Sequence, residues 1–167
     1  MDKKAQIFST DLMISASIFI SLIIILISTF YFYSIRIRDN VKNEDLYIKT
    51  IQISDILLKT AGIPSDWETN SNNTKNIGLI DSDRIFSTSK IREFVNLSIN
   101  TTKEKLNIEG YNFYFSLKDS NGALYNLTNS FSETGIKPSL NAKWIIIIKR
   151  IGIYGGQKAY AEFILWE

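Results

Sequence analysis

The chain has no cysteine and no histidine. The first absence removes any disulfide framework and any thiol chemistry, and leaves the redox compartment unread. The second removes the usual general base and the commonest metal ligand. An excess of charge of one sign is missing too. Nineteen Lys and Arg stand against 17 Asp and Glu, and the net charge of +2 is too small to imply nucleic acid or an acidic partner. No Ser, Thr or Lys has a recognisable base partner, so neither an enzyme nor a cofactor is expected. Gly152, Gly155 and Gly156 match neither a phosphate loop nor a dinucleotide fingerprint.

Charge is also absent from one long stretch, and here the chain begins to say what it is. The 22 residues from Leu12 to Tyr33 carry no charged side chain. As a helix they would span the roughly 30 Å hydrocarbon core of a bilayer. The next residues, Ser34-Ile35-Arg36-Ile37-Arg38, do not fit the small-residue cleavage site of a secretory signal. A processing-like tetrad, Lys3-Lys4-Ala5-Gln6, instead precedes the apolar run. A cut there would leave the helix on the mature chain.

These residues resemble the class III signal peptides of archaeal type IV pilins, archaellins and pseudopilins. In that group a prepilin peptidase cuts after a basic-then-small pair, a Gln often begins the mature chain, and an acid precedes a long apolar helix. The matching residues are Lys4, Ala5, Gln6, Ser9, Asp11 and Leu12. Ser9 and Asp11 fall one position later than in the commonest pattern, and Asp11 stands where Glu is usual. The resemblance implies a prepilin peptidase and other pilin-like subunits as partners beside the lipid bilayer. It also implies a role for Asp11 in neutralising a neighbouring subunit's new amino terminus. Without the resemblance, Asp11 is a solvated acid favouring a helix N-terminus at the headgroup boundary.

The helix is expected to continue. Ser34 to Leu58 contains no Gly or Pro, and Val41, Ile48, Ile51 and Leu58 recur at helical spacing. The apolar face strengthens only from Leu46, and Gly62 and Pro64 mark the stop. Residues 1–5 thus read as a leader, 6–61 as a long helix spanning the membrane at about 12–33, and 62–167 as a head packed on the helix's second half.

Within the head, Ser65-Asp66-Trp67-Glu68 reads as a capping box, Thr69 to Asn76 as a loop, and Ile77 to Ile80 as a short strand. Ser89 and Thr101 are expected to open two short helices. Asn112–Asp119 and Ala123–Thr128 read as a hairpin across Asn121-Gly122, and Lys143–Tyr154 and Lys158–Trp166 as a second across Gly155-Gly156. Two hairpins give an α+β head with an antiparallel sheet of about four strands. The strings SDILLKTAGIPSDWE, IGLIDSDRIFSTSKIREFVNLS and GYNFYFSL, within Ile53 to Leu117, also resemble archaeal pilin-like membrane proteins of undefined role.

Lys and Arg flank the apolar run on both sides and do not choose an orientation. Asn-X-Ser/Thr sequons at Asn72, Asn96, Asn100 and Asn126 favour an external head that would accept N-glycans. Asp81-Ser82-Asp83 and Asp119-Ser120-Asn121-Gly122 offer oxygens to a cation, yet read more plainly as turns. Tyr111, Phe113, Tyr114 and Phe115 could stack on a sugar, but aromatics on a sheet more often make core. The expectation is a structural, pilin-like subunit, minor rather than major, of a surface filament or pseudopilus. An uncleaved single-pass anchor with a protein-binding head is the first alternative, and an anchored hydrolase or sugar-binding module the second.

Overall fold

The computed structural model describes residues 3–70, 74–128 and 130–167, with side chains from Thr10 onward. The chain divides into two compact units, Met1–Asn43 and Glu44–Glu167. Helix α1, Lys3–Lys59, contributes to both. In the first unit it is the whole of the described structure. From Thr10 to Ser34 every residue is exposed, the large apolar side chains included.

In the second unit the same helix makes core. Leu46, Ile53, Leu57 and Leu58 are buried, and so are Thr50 and Ser54. The face differs from the expected one: Val41 and Ile48 are exposed, and two hydroxyl residues take places in the buried stripe. Burial is tolerable because each hydroxyl donates back into its own helix, Thr50 to the Leu46 carbonyl at 2.6 Å and Ser54 to the Ile51 carbonyl at 2.9 Å. Positive φ at Gly62 (88°) then turns the chain out of the helix.

Beyond the helix come β1 (Gly62–Ile63), a 3-10 turn at Trp67–Thr69, β2 (Asn76–Ile77), β3 (Ile80–Ser82) and β4 (Ile85–Phe86). Trp67 is fully buried, and its indole N–H donates to the Gly78 carbonyl at 2.8 Å. Helices α2 (Thr88–Asn96) and α3 (Ile99–Lys105) come next. Ser87 rather than Ser89 precedes α2, and Ser98 rather than Thr101 caps α3, its hydroxyl accepting from the Thr101 N–H at 3.1 Å. The Thr101 box is thus already inside the helix that Ser98 opens.

The remaining strands are β5 (Asn112–Lys118), β6 (Asn126–Leu127), β7 (Ser130–Phe131), β8 (Glu133–Gly135), β9 (Ile145–Tyr154) and β10 (Gln157–Trp166). The main sheet has six strands in the order β3-β4-β9-β10-β5-β8, where about four were expected, and β4 meets β9 in parallel. The β9–β10 hairpin forms over ten paired residues, closed by Gly155 and Gly156, both at positive φ. The other hairpin begins as expected and then departs. After the Asn-Gly turn the ladder consists of one bridge, Lys118 with Leu124.

Ser132 accounts for the departure. Its buried hydroxyl donates to the Leu117 carbonyl at 2.6 Å and accepts from the Tyr125 N–H at 3.0 Å. Asn126–Leu127 and Ser130–Phe131 pair with each other as β6 and β7, and the returning chain lays β8 on the edge of β5.

One face of this sheet makes the core. Phe113, Phe115, Leu117, Ala161, Phe163 and Leu165 are buried there with Phe94 and Ile91 of α2 and the buried face of α1. Phe94 meets Phe115 edge-on, with centroids 5.3 Å apart. The opposite face carries a smaller cluster of Tyr114, Ile164 and Trp166.

Candidate functional site

The residues singled out for function lie at the start of α1 and in four sequons. From Lys3 the backbone is helical, but the side chains of Lys3, Lys4, Ala5, Gln6 and Ser9 lie outside those described. Asp11 is described. It is exposed, within the helix, one residue before the uncharged run. Inside that run three hydroxyls are satisfied locally: Ser17 donates to the Met13 carbonyl, Ser21 to Ser17 and Thr29 to Ile25, each at 2.8 Å. This is the one helix among the described residues that is long and apolar enough to cross a membrane, and none of its most apolar window is buried in the chain. Ser17, Ser21 and Thr29 therefore need no partner from outside the helix to enter hydrocarbon.

Of the sequons, Asn72 lies outside the described residues. Asn96, Asn100 and Asn126 are exposed. Their hydroxyl partners differ. Ser98 caps α3, and Thr102 is buried with its hydroxyl on the Ser98 carbonyl at 3.0 Å. Thr128 is exposed beside β6, so the Asn126 sequon presents both its amide and its hydroxyl to solvent.

The weaker candidates resolve into structure. Asp119 accepts from the backbone N–H groups of Asn121 and Ala123 at 2.8 and 2.9 Å, with Gly122 at positive φ, which makes it the keystone of a turn. Asp81 pairs with Lys90 at 3.3 Å. Phe113 and Phe115 are core. Gly152 is packed so closely by Phe86 and the Arg84 carbonyl that a Cβ would lie 2.5 Å from the Phe86 ring. Among the described residues, no three His, Cys, Asp or Glu side chains are placed together to hold a metal ion.

The polar groups with the most structure around them are ones that sequence patterns do not flag. Lys90 is buried on α2, donating to the Ile80 carbonyl at 3.0 Å while pairing with Asp81. Asp55 on α1 holds Arg150 of β9 at 2.7 Å and Lys59 at 2.8 Å. The Lys59 hydrogen bond, aided by Arg150, holds the Asp55 carboxyl below the ordinary carboxylate range despite partial burial. Glu133 is likewise lowered, first by the Tyr114 hydroxyl bonded to it and then by Lys137 at 3.0 Å. Burial and that same carboxylate push the Tyr114 hydroxyl up. Only Asp55–Lys59 and Glu133–Lys137 had a local signal, the i,i+4 spacing of opposite charges.

A long apolar helix followed by an α/β head is compatible with a pilin-like layout. Comparison with protein-family models, with curated proteins and with solved structures finds no match to this chain.

Proposed function

We propose that the protein is a pilin-like subunit, minor rather than major, of an archaeal cell-surface filament or pseudopilus. In this reading the N-terminal helix sits in the membrane or packs into a filament core, and the head lies outside the cell. One observation carries the proposal. The tetrad Lys3-Lys4-Ala5-Gln6 stands at the start of a helix whose most apolar window is not buried by any described residue of the chain. A helix of that kind needs lipid or the like helices of other subunits to cover it. The exposed sequons support an external head.

Co-expression with an archaeal prepilin peptidase followed by intact-mass measurement is the test. Loss of Met1 to Ala5, leaving Gln6 as the first residue, is the expected result. An unchanged mass with an active peptidase overturns it in favour of an uncleaved single-pass anchor. The same proposal gives Asp11 its role. Once subunits assemble, the new amino terminus enters an apolar bundle and takes its counter-charge from a neighbour's Asp11, and a half-made buried pair costs several kcal/mol. Asp11→Ala is expected to abolish cross-linking to other pilin-like subunits while leaving membrane insertion and head folding intact. Equal cross-linking of wild type and variant removes Asp11 from assembly.

A further inference from the structure

Strand β9 is covered along only part of its outer edge. Its residues are exposed or half-buried from Ile145 to Ile151 and become buried only at Gly152 and Tyr154, where β4 lies alongside. The Ile153 N–H donates to the Arg84 carbonyl at 2.7 Å, so the peptide groups of Ile153 face away from β10. Alternation along a strand then turns those of Ile145, Ile147, Lys149 and Ile151 the same way. No strand among the described residues pairs with them there.

Natural edges are commonly blunted by a lysine or a proline. Here the edge has no proline, and the ammonium of Lys149 is drawn to Glu162 on β10 at 3.6 Å. Three outward isoleucines, Ile145, Ile147 and Ile151, remain exposed along it. Where β4 stops, a cavity of about 250 Å³ opens beside the strand, with Leu58, Ile80 and Phe86 as apolar lining and Lys59, Arg84 and Arg150 as its cations. Asp83 lines the cavity as well, so these three cations meet two carboxylates, Asp55 shared by Arg150 and Lys59 and Asp83 beside Arg84 at 3.9 Å, which leaves one positive charge in excess. Arg150 Nε is buried with no acceptor among the described residues.

We propose that the free edge of β9 receives an extended, acidic segment of another protein as an added strand. Its main chain pairs with the outward peptide groups of Ile145 to Ile151, and an acidic side chain takes the Arg150 and Arg84 end of the cavity. Main-chain pairing supplies affinity and the alternate side chains supply selectivity, as in other strand-addition sites. The cations decide the class of partner. A second copy of β9 would bring Lys149 and Arg150 against the same charges, whereas an acidic strand complements them. Neither leader cleavage nor filament assembly is required for this edge to bind.

The test uses the full-length protein in detergent micelles and a fluorescent heptapeptide alternating valine with glutamate, beside its valine–lysine counterpart. Fluorescence anisotropy is expected to show binding of the glutamate peptide only, with amide exchange at Ile147, Lys149 and Ile151 slowed about tenfold or more. Ile147→Pro removes an outward donor and no ladder bond. Arg84→Glu reverses an exposed cation. Each variant is expected to weaken binding about tenfold, roughly 1.4 kcal/mol, with the thermal midpoint unchanged. Equal binding of the two peptides, no binding, or unaltered β9 exchange overturns the proposal. So does β9 protection that rises with protein concentration in the absence of peptide, which would place a second copy at the edge.

Discussion

Helix α1 carries apolar side chains in two settings that could hardly differ more. Phe19, Ile23 and Leu26 lie in the first unit and are exposed, while Leu46, Leu57 and Leu58 lie in the second and are buried. The two stretches are built from the same kinds of residue and the same backbone geometry. What separates them is patterning. In the second unit Lys49, Gln52, Asp55 and Lys59 alternate with the apolar positions and confine them to one stripe, which the sheet and α2 cover. In the uncharged run of the first unit, Leu12 to Tyr33, no charged residue interrupts the apolar ones, and a helix hydrophobic on nearly every side has to be covered by lipid or by another helix. The same kinds of side chain thus make core in one stretch and stand uncovered in the other.

The sharpest way to break this contrast is to truncate an aromatic in each half of the molecule. Phe163→Ala, measured by denaturant unfolding of a chain begun at Asn40, is expected to cost about 3–5 kcal/mol, because its ring is fully buried in the core. Phe19→Ala in the full chain should leave the head's unfolding unchanged. If the truncated chain fails to unfold cooperatively even without substitution, the second unit depends on the first.

Charge insertion reverses the ranking. Ile24→Lys places a cation near the middle of the uncharged run and is expected to cost insertion about 2.5–3.5 kcal/mol, read as loss of the protein from carbonate-washed membranes. Ile56→Lys, on the partly exposed side of the same helix in the second unit, should leave membrane retention as it was. Equal loss from both would mean that the span does not end where the charges begin.

Two smaller effects sharpen the picture of the second unit. Ser132→Ala removes the hydroxyl that bridges the Tyr125 N–H and the Leu117 carbonyl and leaves them only their own long bond of 3.4 Å. It is expected to cost about 1–3 kcal/mol in the same unfolding measurement. Smallest is the ion pair at Asp55. Its carboxyl is lowered in the folded state, so the stability it contributes is present above the unfolded pKa and lost as pH falls through the lowered folded one. Asp55 is about two-fifths exposed, so the contribution should stay under about 1 kcal/mol. Asp55→Asn is expected to flatten the acid limb of the stability–pH curve; an unchanged limb would show that the pair does not contribute.

Long-period features of the fold were legible in the sequence. The uncharged run, the continuation of the helix past Arg36, its stop before Gly62 and the β9–β10 hairpin all arise from patterns many residues long. The failures share a cause as well. Strands β3, β4 and β8 are two or three residues each, too short for any alternation to register, and with β5, β9 and β10 they make the sheet six-stranded rather than four. The helix face was misjudged because Thr50 and Ser54 read as polar, although each satisfies its hydroxyl inside the helix and can be buried. Of the candidate residues, Asp11 and the sequons were visible as local strings. Arg150 was not, since its partner Asp55 lies 95 positions earlier and only the fold brings them together.

Ser17, Ser21 and Thr29 have one more effect, on what the first unit offers its surroundings. Each spends its proton on a carbonyl of its own helix. At those three positions the helix therefore offers its surroundings contour and no proton. The hydroxyls of Ser15, Ser28, Tyr31 and Tyr33 remain for directional contacts along its middle. A neighbour that holds this helix at one azimuth does so through them, or at the charged flanks, Asp11 on one side and Arg36 and Arg38 on the other.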